Sequence, residues 1–411
     1  MAAGPTRVEP PAFARADRFR LYAAAFLRAL ATGMTGVLIG IYLGRVGLDA
    51  AHIGFIVAAG LAGGAAATLF ATARGDRIGR RRLLILLALV GIAGTGVFTF
   101  ASHAWVLGVS AFFGMLNGMG RDRGAALAVE QALLPATATD RERTKVVAWY
   151  NVLQDAGHAI GSLCAGLPEL LRRGAGMNDL ASLRAPFWLY IGILVVTLVL
   201  YLGLSPAVEA TPHARAKPVS PETRRLVTRI SALFALDSLG GGFLTTALLS
   251  YFFFHRFGAG EATIGLLFFG ARVLNALSHL GAAWLASRIG LVKTMVFTHI
   301  PSSILLATVP FAPNFTVAAV LFLLREGLVE MDVPTRQSYV MAVVKPEERL
   351  YASGVTGLVR TAAWAVAPSF AGVLMQDFSL ALPLMIGSAM KITYDLLLWR
   401  AFRHVRPPEE S

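Results

Sequence analysis

Within stretches otherwise built from Leu, Ala, Val and Gly, the sequence places ionisable side chains where water should be scarce. These are Arg28; Arg121, Asp122, Arg123 and Glu130; Asp237; and Arg325, Glu326, Glu330, Asp332 and Arg336. At the centre of an apolar helix each costs about 2.5 to 3.5 kcal/mol on insertion scales. A chain that carries so many must give them a cavity, or one another, to face. Two kinds of chemistry suit them. A carboxylate holds its proton more tightly when buried and releases it beside an arginine, so one that exchanges those surroundings can couple proton binding to movement. Asp122, Asp237, Glu326, Glu330 and Asp332 are the candidates, with Asp122 and Asp332 foremost. A guanidinium offers two parallel donors to a carboxylate or phosphate. Arg28, Arg121, Arg123, Arg325 and Arg336 are therefore candidate groups of a substrate cavity. The competing reading of any one residue is an internal ion pair that fixes packing and never titrates. That explanation is weaker for the whole set.

Spacing refines the picture. Asp332 and Arg336 stand four apart and can bridge on one helix face. Asp122 and Arg123 are adjacent and cannot, so Asp122 needs a partner on another helix or on a substrate. Lys391 and Asp395 are again four apart and read as a local bridge away from any transport path. Single charges also occur at Asp155, Arg272 and Arg360, and histidines at His158, His279 and His299. An intramembrane histidine can relay protons, although packing is its commoner role. No His, Cys or carboxylate cluster has metal-ligand spacing, so neither a metal nor a cofactor is expected. There is no Walker A run, nucleophile elbow or dinucleotide fingerprint, which argues against ATP drive and against an enzyme. The lone Cys164 excludes an intrachain disulfide.

The elements that must position these charges are membrane helices. Hydrophobic residues make up 56 % of the 411 and charged residues only 15 %. A helix needs about 20 apolar residues to cross a bilayer. Twelve such spans are legible: 21–43, 53–72, 83–101, 105–134, 146–167, 186–204, 229–253, 262–284, 293–311, 316–343, 351–374 and 381–399. The fourth and tenth are long for a bilayer core about 30 Å thick, so tilt, a kink or an overhang must absorb the excess. With both termini cytoplasmic, 24 Lys and Arg residues fall in inside segments against 5 outside, the bias expected for that orientation. This distribution argues against nucleic acid as the partner of the +13 net charge. The polar, Arg-rich start lacks a cleavable signal, so the first span reads as an uncleaved anchor. A bacterial plasma (inner) membrane is the expected location, with a monomer in the lipid bilayer.

The chain also reads as a duplication. The run from Arg143 is echoed 206 residues later from Arg349, placing Gly166 opposite Gly372 and Gln154 opposite Arg360, with Pro135 and Pro346 upstream. The Pro-rich segment 205–228 separates an N-terminal bundle, 1–204, from a C-terminal one, 229–411. Between the second and third spans lies "RGDRIGRRRLL" (74–84), with a degenerate copy, "ASRIGLVKTM", 211 residues on. This pair resembles the loop signature of the major facilitator superfamily. Asp76, Arg77, Gly79, Arg80, Arg81 and Arg82 match, whereas Thr72 replaces a Gly, and Ala283 and Ser287 replace the Gly and Asp of the second copy.

The resemblance implies an all-α membrane protein of twelve helices in two six-helix bundles related by a pseudo-two-fold repeat. It implies a central cavity lined by the first, fourth, seventh and tenth spans, the four that carry most of the charge. It also implies a cytoplasmic latch at Asp76, Arg77, Gly79 and Arg80. In the fifth span "GHAIGSLCAG" (157–166) is similar to the superfamily's antiporter motif, with Ser162 for Pro and Ala165 for Gly; small residues at this spacing also suit plain helix packing. The expected activity is alternating-access transport of a small molecule, with protons as partner in an efflux antiport. Import or uniport of a small organic anion is the first alternative, and a non-transporting membrane sensor on the same fold the second.

Overall fold

A computed structural model describes residues 12–139, 142–206, 209, 219–344 and 348–402. Every regular element among them is helical. The N-terminal half runs through α1 (Ala12–Arg45), α2 (Ala50–Ile78), α3 (Arg80–Phe100), α4 (Ala104–Gly114), α5 (Ala125–Leu133), α6 (Arg143–Cys164), α7 (Leu167–Ala175) and α8 (Asp179–Leu202). The C-terminal half follows with α9 (Pro221–Gly242), α10 (Thr246–Phe257), α11 (Glu261–Ile289), α12 (Leu291–Thr308), α13 (Phe315–Val329), α14 (Asp332–Val343), α15 (Arg349–Asp377) and α16 (Leu382–Phe402). Among the described residues, eight helical stretches are long and apolar enough to cross a membrane. The remaining expected spans are the fourth and tenth, which are broken, and the fifth and twelfth, which form α6 and α16.

Three spans expected to be continuous are interrupted. The fourth stops at Gly114 and resumes at Ala125. Met115 adopts a left-handed conformation, and the Asn117 side chain replaces lost backbone bonds by donating to the Arg121 carbonyl at 2.5 Å and accepting from the Met119 N–H at 2.8 Å. The seventh span breaks after three consecutive glycines, Gly240 to Gly242, and the Thr245 hydroxyl caps its second part. The tenth breaks at Glu330 and Met331, with Pro334 in the first turn of α14, where proline is tolerated. The excess length of spans four and ten is thus absorbed by irregular backbone. At membrane depth such backbone survives only where protein or a cavity supplies its hydrogen bonds.

The repeat is visible in the turns. Gly79, between α2 and α3, has φ 94°, and Gly290, between α11 and α12, has φ 89°. A side chain is strained in that region, which accounts for the retained glycine in a second motif copy that has lost its acid.

The end of the molecule that carries the 205–228 connection is the linker end; the opposite end is the far end. At the far end one apolar core joins both halves, with Leu38, Tyr42 and Ile53 packed alongside Phe252, Ile264 and Ala371. Toward the linker end the core divides in two. Leu21, Leu84, Leu133 and Tyr150 form one cluster within the N-terminal half, and Val227, Ile230, Met295 and Tyr394 form another within the C-terminal half. The halves are sealed at the far end by α2 against α15. A Cβ on Gly54 would lie 2.3 Å from the Pro368 carbonyl oxygen and 2.8 Å from the Gly372 Cα. The Ala50 N–H donates to Gln376 at 3.2 Å beside them, and Arg172 of α7 pairs with Glu261 of α11 at 2.7 Å.

The Gly54–Gly372 approach yields a mechanical prediction. Gly54→Leu should force α2 from α15, and spin labels at the far ends of these helices should report a longer separation than in the unsubstituted chain. An unchanged separation would contradict this packing.

Candidate functional site

The charges predicted from sequence assemble in three groups around the middle of the molecule. The first lies in the N-terminal half and centres on Arg28 of α1. Its Nε and Nη2 donate to Asp122 Oδ2 at 3.1 and 2.9 Å. Its Nη1 pairs with Glu130 and donates to the Tyr201 hydroxyl at 2.6 Å. Glu130, on α5, is fully buried and also accepts from Tyr201 at 2.5 Å and Tyr150 at 2.6 Å. Asp122 sits in the irregular segment between α4 and α5. Its second oxygen accepts from the Gly124 N–H at 3.1 Å, and its own N–H donates to His158 Nε2 at 2.7 Å. Asp122 thus finds on another helix the partner it lacked locally.

The second group occupies the C-terminal half. Asp237 of α9 meets Arg336 at 3.1 Å and Lys391 at 2.8 Å, and Arg336 also pairs with Asp332 at 2.7 Å. The expected i,i+4 bridge between Asp332 and Arg336 is present. The expected one between Lys391 and Asp395 is not. Lys391 reaches Asp237, and Asp395 accepts from His299 Nδ1 at 2.9 Å. The physical reason is competition: on a packed face, neighbours on α9 and α12 come closer to these two groups than they come to each other. Sequence reasoning therefore missed Lys391, His299 and Asp395 as parts of the buried network. The available signal was cost, because an ammonium in the twelfth span needs an acidic partner as much as one in the first.

The third group bridges the halves. Arg121 meets Glu330 at 2.9 Å and also reaches Asn275, whose amide donates to the Glu326 carboxylate at 2.8 Å; Arg325 pairs with Glu326 beside it. The irregular fourth span is itself held by the other half. The Gly118 carbonyl accepts from the Ala247 N–H at 2.9 Å, the Met119 carbonyl from the Thr246 hydroxyl at 2.8 Å, and the Gly120 carbonyl from Arg272 at 3.1 Å.

Two adjoining cavities lie against these groups. The larger by total empty space, about 1010 Å³ with open solvent included, is lined by Arg28, Asp122 and Arg123 together with Leu61, Leu84, Leu87 and Leu194. The smaller on the same measure, about 790 Å³, is lined by Asp237, Glu326, Glu330, Asp332, Arg325, Arg336 and Lys391. Met119, Arg121, Arg123 and Trp364 border both. The larger extends along α3 to Leu84 and along α8 to Tyr201, near the linker ends of those helices.

The loop matching the family signature lies apart from both cavities. Gly79 makes its turn, and the Arg80 and Arg81 N–H groups at the start of α3 donate to the Glu209 carboxylate at 2.8 and 3.0 Å. The positive end of a helix dipole favours an acid there. The Arg80 and Arg81 guanidiniums donate to the Ala132 and Leu202 carbonyls, at 3.0 and 2.6 Å, within the N-terminal half; Arg77 is exposed. The side chain of Asp76, Pro346 and residues 207, 208 and 210–218 lie outside the described residues.

The energetics of the Arg28 group are testable. Removing one partner of a buried pair strands the other and costs about 3 to 5 kcal/mol. Arg28→Met should therefore lower thermal stability strongly in detergent, and Arg28→Met with Asp122→Asn and Glu130→Gln should recover much of the loss. A single variant as stable as the parent would show that the carboxylates are not held by this arginine.

Comparison with known proteins agrees with this architecture. The family model for the Major Facilitator Superfamily matches residues 21–255 and again 230–411. The uncharacterized membrane protein YJR124C of Saccharomyces cerevisiae is 28 % identical over 92 % of each chain. The multidrug resistance protein MdtG of Enterobacter lignolyticus is 26 % identical over 45 % of this chain and 42 % of its own. Among solved structures, a mutant form of the nucleoside transporter NupG superposes with a TM-score of 0.76 at 12 % identity, over 94 % of this chain and 100 % of that one. A bacterial homologue of the human lysosomal transporter Spinster, inward-facing and occupied, superposes with a TM-score of 0.75 at 13 % identity, over 95 % and 97 %. These structural likenesses show the shared fold. With both halves matched by the family and the charged groups set around cavities between them, this chain belongs to the Major Facilitator Superfamily and is a membrane transporter of a small molecule, not an enzyme.

Proposed function

We propose that the protein is a proton-coupled secondary transporter that exports its substrate in exchange for protons. The observation that carries this reading is the position of Asp122. It is a carboxylate lining a cavity, paired with Arg28 of its own half, on a segment whose backbone is held by the other half. When the halves rock, the Gly118–Ala247 and Arg121–Glu330 contacts must change, and the segment bearing Asp122 is free to shift relative to Arg28. A carboxylate that loses its guanidinium gains affinity for a proton. Proton uptake is thereby tied to which end is open. Asp332, paired with Arg336, which also holds Asp237, is the matching site in the second half.

The two halves are the rocking bodies in this reading, the second of them beginning with α9 at Pro221 inside the expected 205–228 linker, and the connection between α8 and α9 is their tether. In this reading the excess of Lys and Arg at the linker end favours the cytoplasmic side of a bacterial inner membrane for that end, and the divided apolar core fits an inward-open state of a monomer. Export is favoured by the antiporter-like run of α6. Its later residues lie in the seam between halves, where a Cβ on Gly265 would lie 2.5 Å from the Ser162 carbonyl oxygen and one on Gly166 would lie 3.2 Å from the Ala262 Cβ, while Gly157 and Gly161 pack against α1 of their own half. The small residues are there because the backbones nearly touch. The partial similarity to a multidrug resistance protein points the same way.

The test is flux in proteoliposomes under an imposed pH gradient. Asp122→Asn and Asp332→Asn should each reduce gradient-driven transport at least roughly tenfold, equivalent to about 1.4 kcal/mol, while still inserting into the membrane and remaining folded at the assay temperature. Normal transport by both variants would show that these carboxylates do not couple. Parent flux indifferent to the gradient would remove proton coupling altogether.

A further inference from the structure

We infer that Arg123 and Arg360, facing the same indole at Trp364, form the head-group site for an amphipathic organic anion. The inference rests on the transport reading above for its purpose, but not for its geometry. Arg123 comes from the irregular segment of the N-terminal half; Arg360 and Trp364 lie one turn apart on α15 of the C-terminal half. The Arg123 guanidinium carbon is 4.3 Å from the indole centroid and that of Arg360 is 4.7 Å from it. Arg360 donates to the Ser238 hydroxyl at 3.3 Å. Neither has a carboxylate within ion-pairing distance among the described residues.

The other central cations are occupied. Arg28 holds Asp122 and Glu130, Arg121 holds Glu330, Arg325 holds Glu326, and Arg336 and Lys391 share Asp237. Arg272 donates to the backbone of the fourth span. The sequence offered five arginines as equivalent ligands for an anion. Pairing removes four of them, leaves Arg123, and adds Arg360, which spacing did not single out.

Two guanidiniums set against one indole ring are each attracted to it and repel each other. At low dielectric, like charges without a counter-ion are an incomplete arrangement, and both groups border the smaller cavity. An anion completes it, and a guanidinium fork fits the two oxygens of a carboxylate or a comparable oxyanion. Arg123 and Trp364 also line the larger cavity, together with Leu61, Leu84, Leu87 and Leu194. These leucines suit an apolar body attached to the anionic head. Because one arginine belongs to each half, such a ligand would bridge the seam it must cross.

The experiment is calorimetric titration of the full chain in phosphatidylcholine nanodiscs, which needs no gradient. The probes are 1-naphthoate, 1-naphthylmethylamine and 1-naphthalenemethanol, which share a body and differ in head. Naphthoate should bind, the alcohol at least tenfold more weakly, and the amine not measurably. Arg123→Gln and Arg360→Gln should each weaken naphthoate at least tenfold. Each should also leave the ligand-free melting temperature unchanged or raised, because a repelled charge has been removed, whereas Arg121→Gln should lower it. If phosphatidylglycerol in the disc competes with naphthoate only when both arginines are present, the site stands and the head belongs to a membrane lipid. The inference is overturned if naphthoate fails to bind, if the double variant binds it as the parent does, if the amine binds as well, or if either single variant is destabilised. Loss of pH-driven flux with naphthoate binding intact would instead count against the coupling reading alone.

Discussion

An ionised carboxylate in the interior of this molecule persists only with a cation or a set of donors against it, and that requirement organises everything around Arg28. The guanidinium occupies one helix, and of its two acids one lies within the break in the fourth span and the other on the helix that follows it. Glu130 on α5 and Asp122 in the break can both reach Arg28 only if the chain turns between them. The break in turn exposes carbonyls that the N-terminal half does not satisfy. Ala247, Thr246 and Arg272 of the other half satisfy them. One ion-pair constraint therefore propagates into a backbone irregularity, and that irregularity into the seam between halves.

The seam is uneven because its side chains differ along its length. Glycines and alanines bring backbones into contact at the far end and continue into a shared apolar core. Toward the linker end each half keeps its own core, and space opens between them. Apolar contact supplies the closed end, and the polar contacts between Arg121, Asn275 and Glu330 sit at mid-depth, where the two cavities meet. A rocking motion would exchange apolar contact for water at one end. At mid-depth it would exchange hydrogen-bond partners, which is where a proton or a guest anion can change the balance.

Much of this was legible from residues alone because the signals were long or dense. Apolar runs of span length, the skew of arginines to one side and the glycine of the 74–84 loop do not depend on tertiary partners. The clustering of charge in the first, fourth, seventh and tenth spans was legible for the same reason, because burial cost makes such residues rare, whereas the apolar stretches of α2, α3 and α8 that also line the larger cavity carried no such signal. What depended on partners was not legible. The spacing that correctly paired Asp332 with Arg336 also suggested Lys391 with Asp395, and there Asp237 and His299 intervene from other helices. Segment 115–124 reads as glycine-rich, but a bend and a complete break carry the same local signal. Whether the backbone opens depends on donors distant in the chain. Likewise Arg123 is indistinguishable from Arg121 until the structure shows which of the two already holds an acid.

The central claim is that these charges border a water-accessible path between the halves, open to one side at a time. It is tested most directly by thiol labelling of Ala126→Cys and Thr361→Cys, each in a Cys164→Ser background; both positions line the larger cavity, on α5 and α15. A membrane-impermeant reagent applied at the linker end should label both positions, and substrate should alter that access in step at the two sites. Protection of both cysteines from reagent on either side, with or without substrate, would mean that the charges sit in a dry packed core and that the account is wrong.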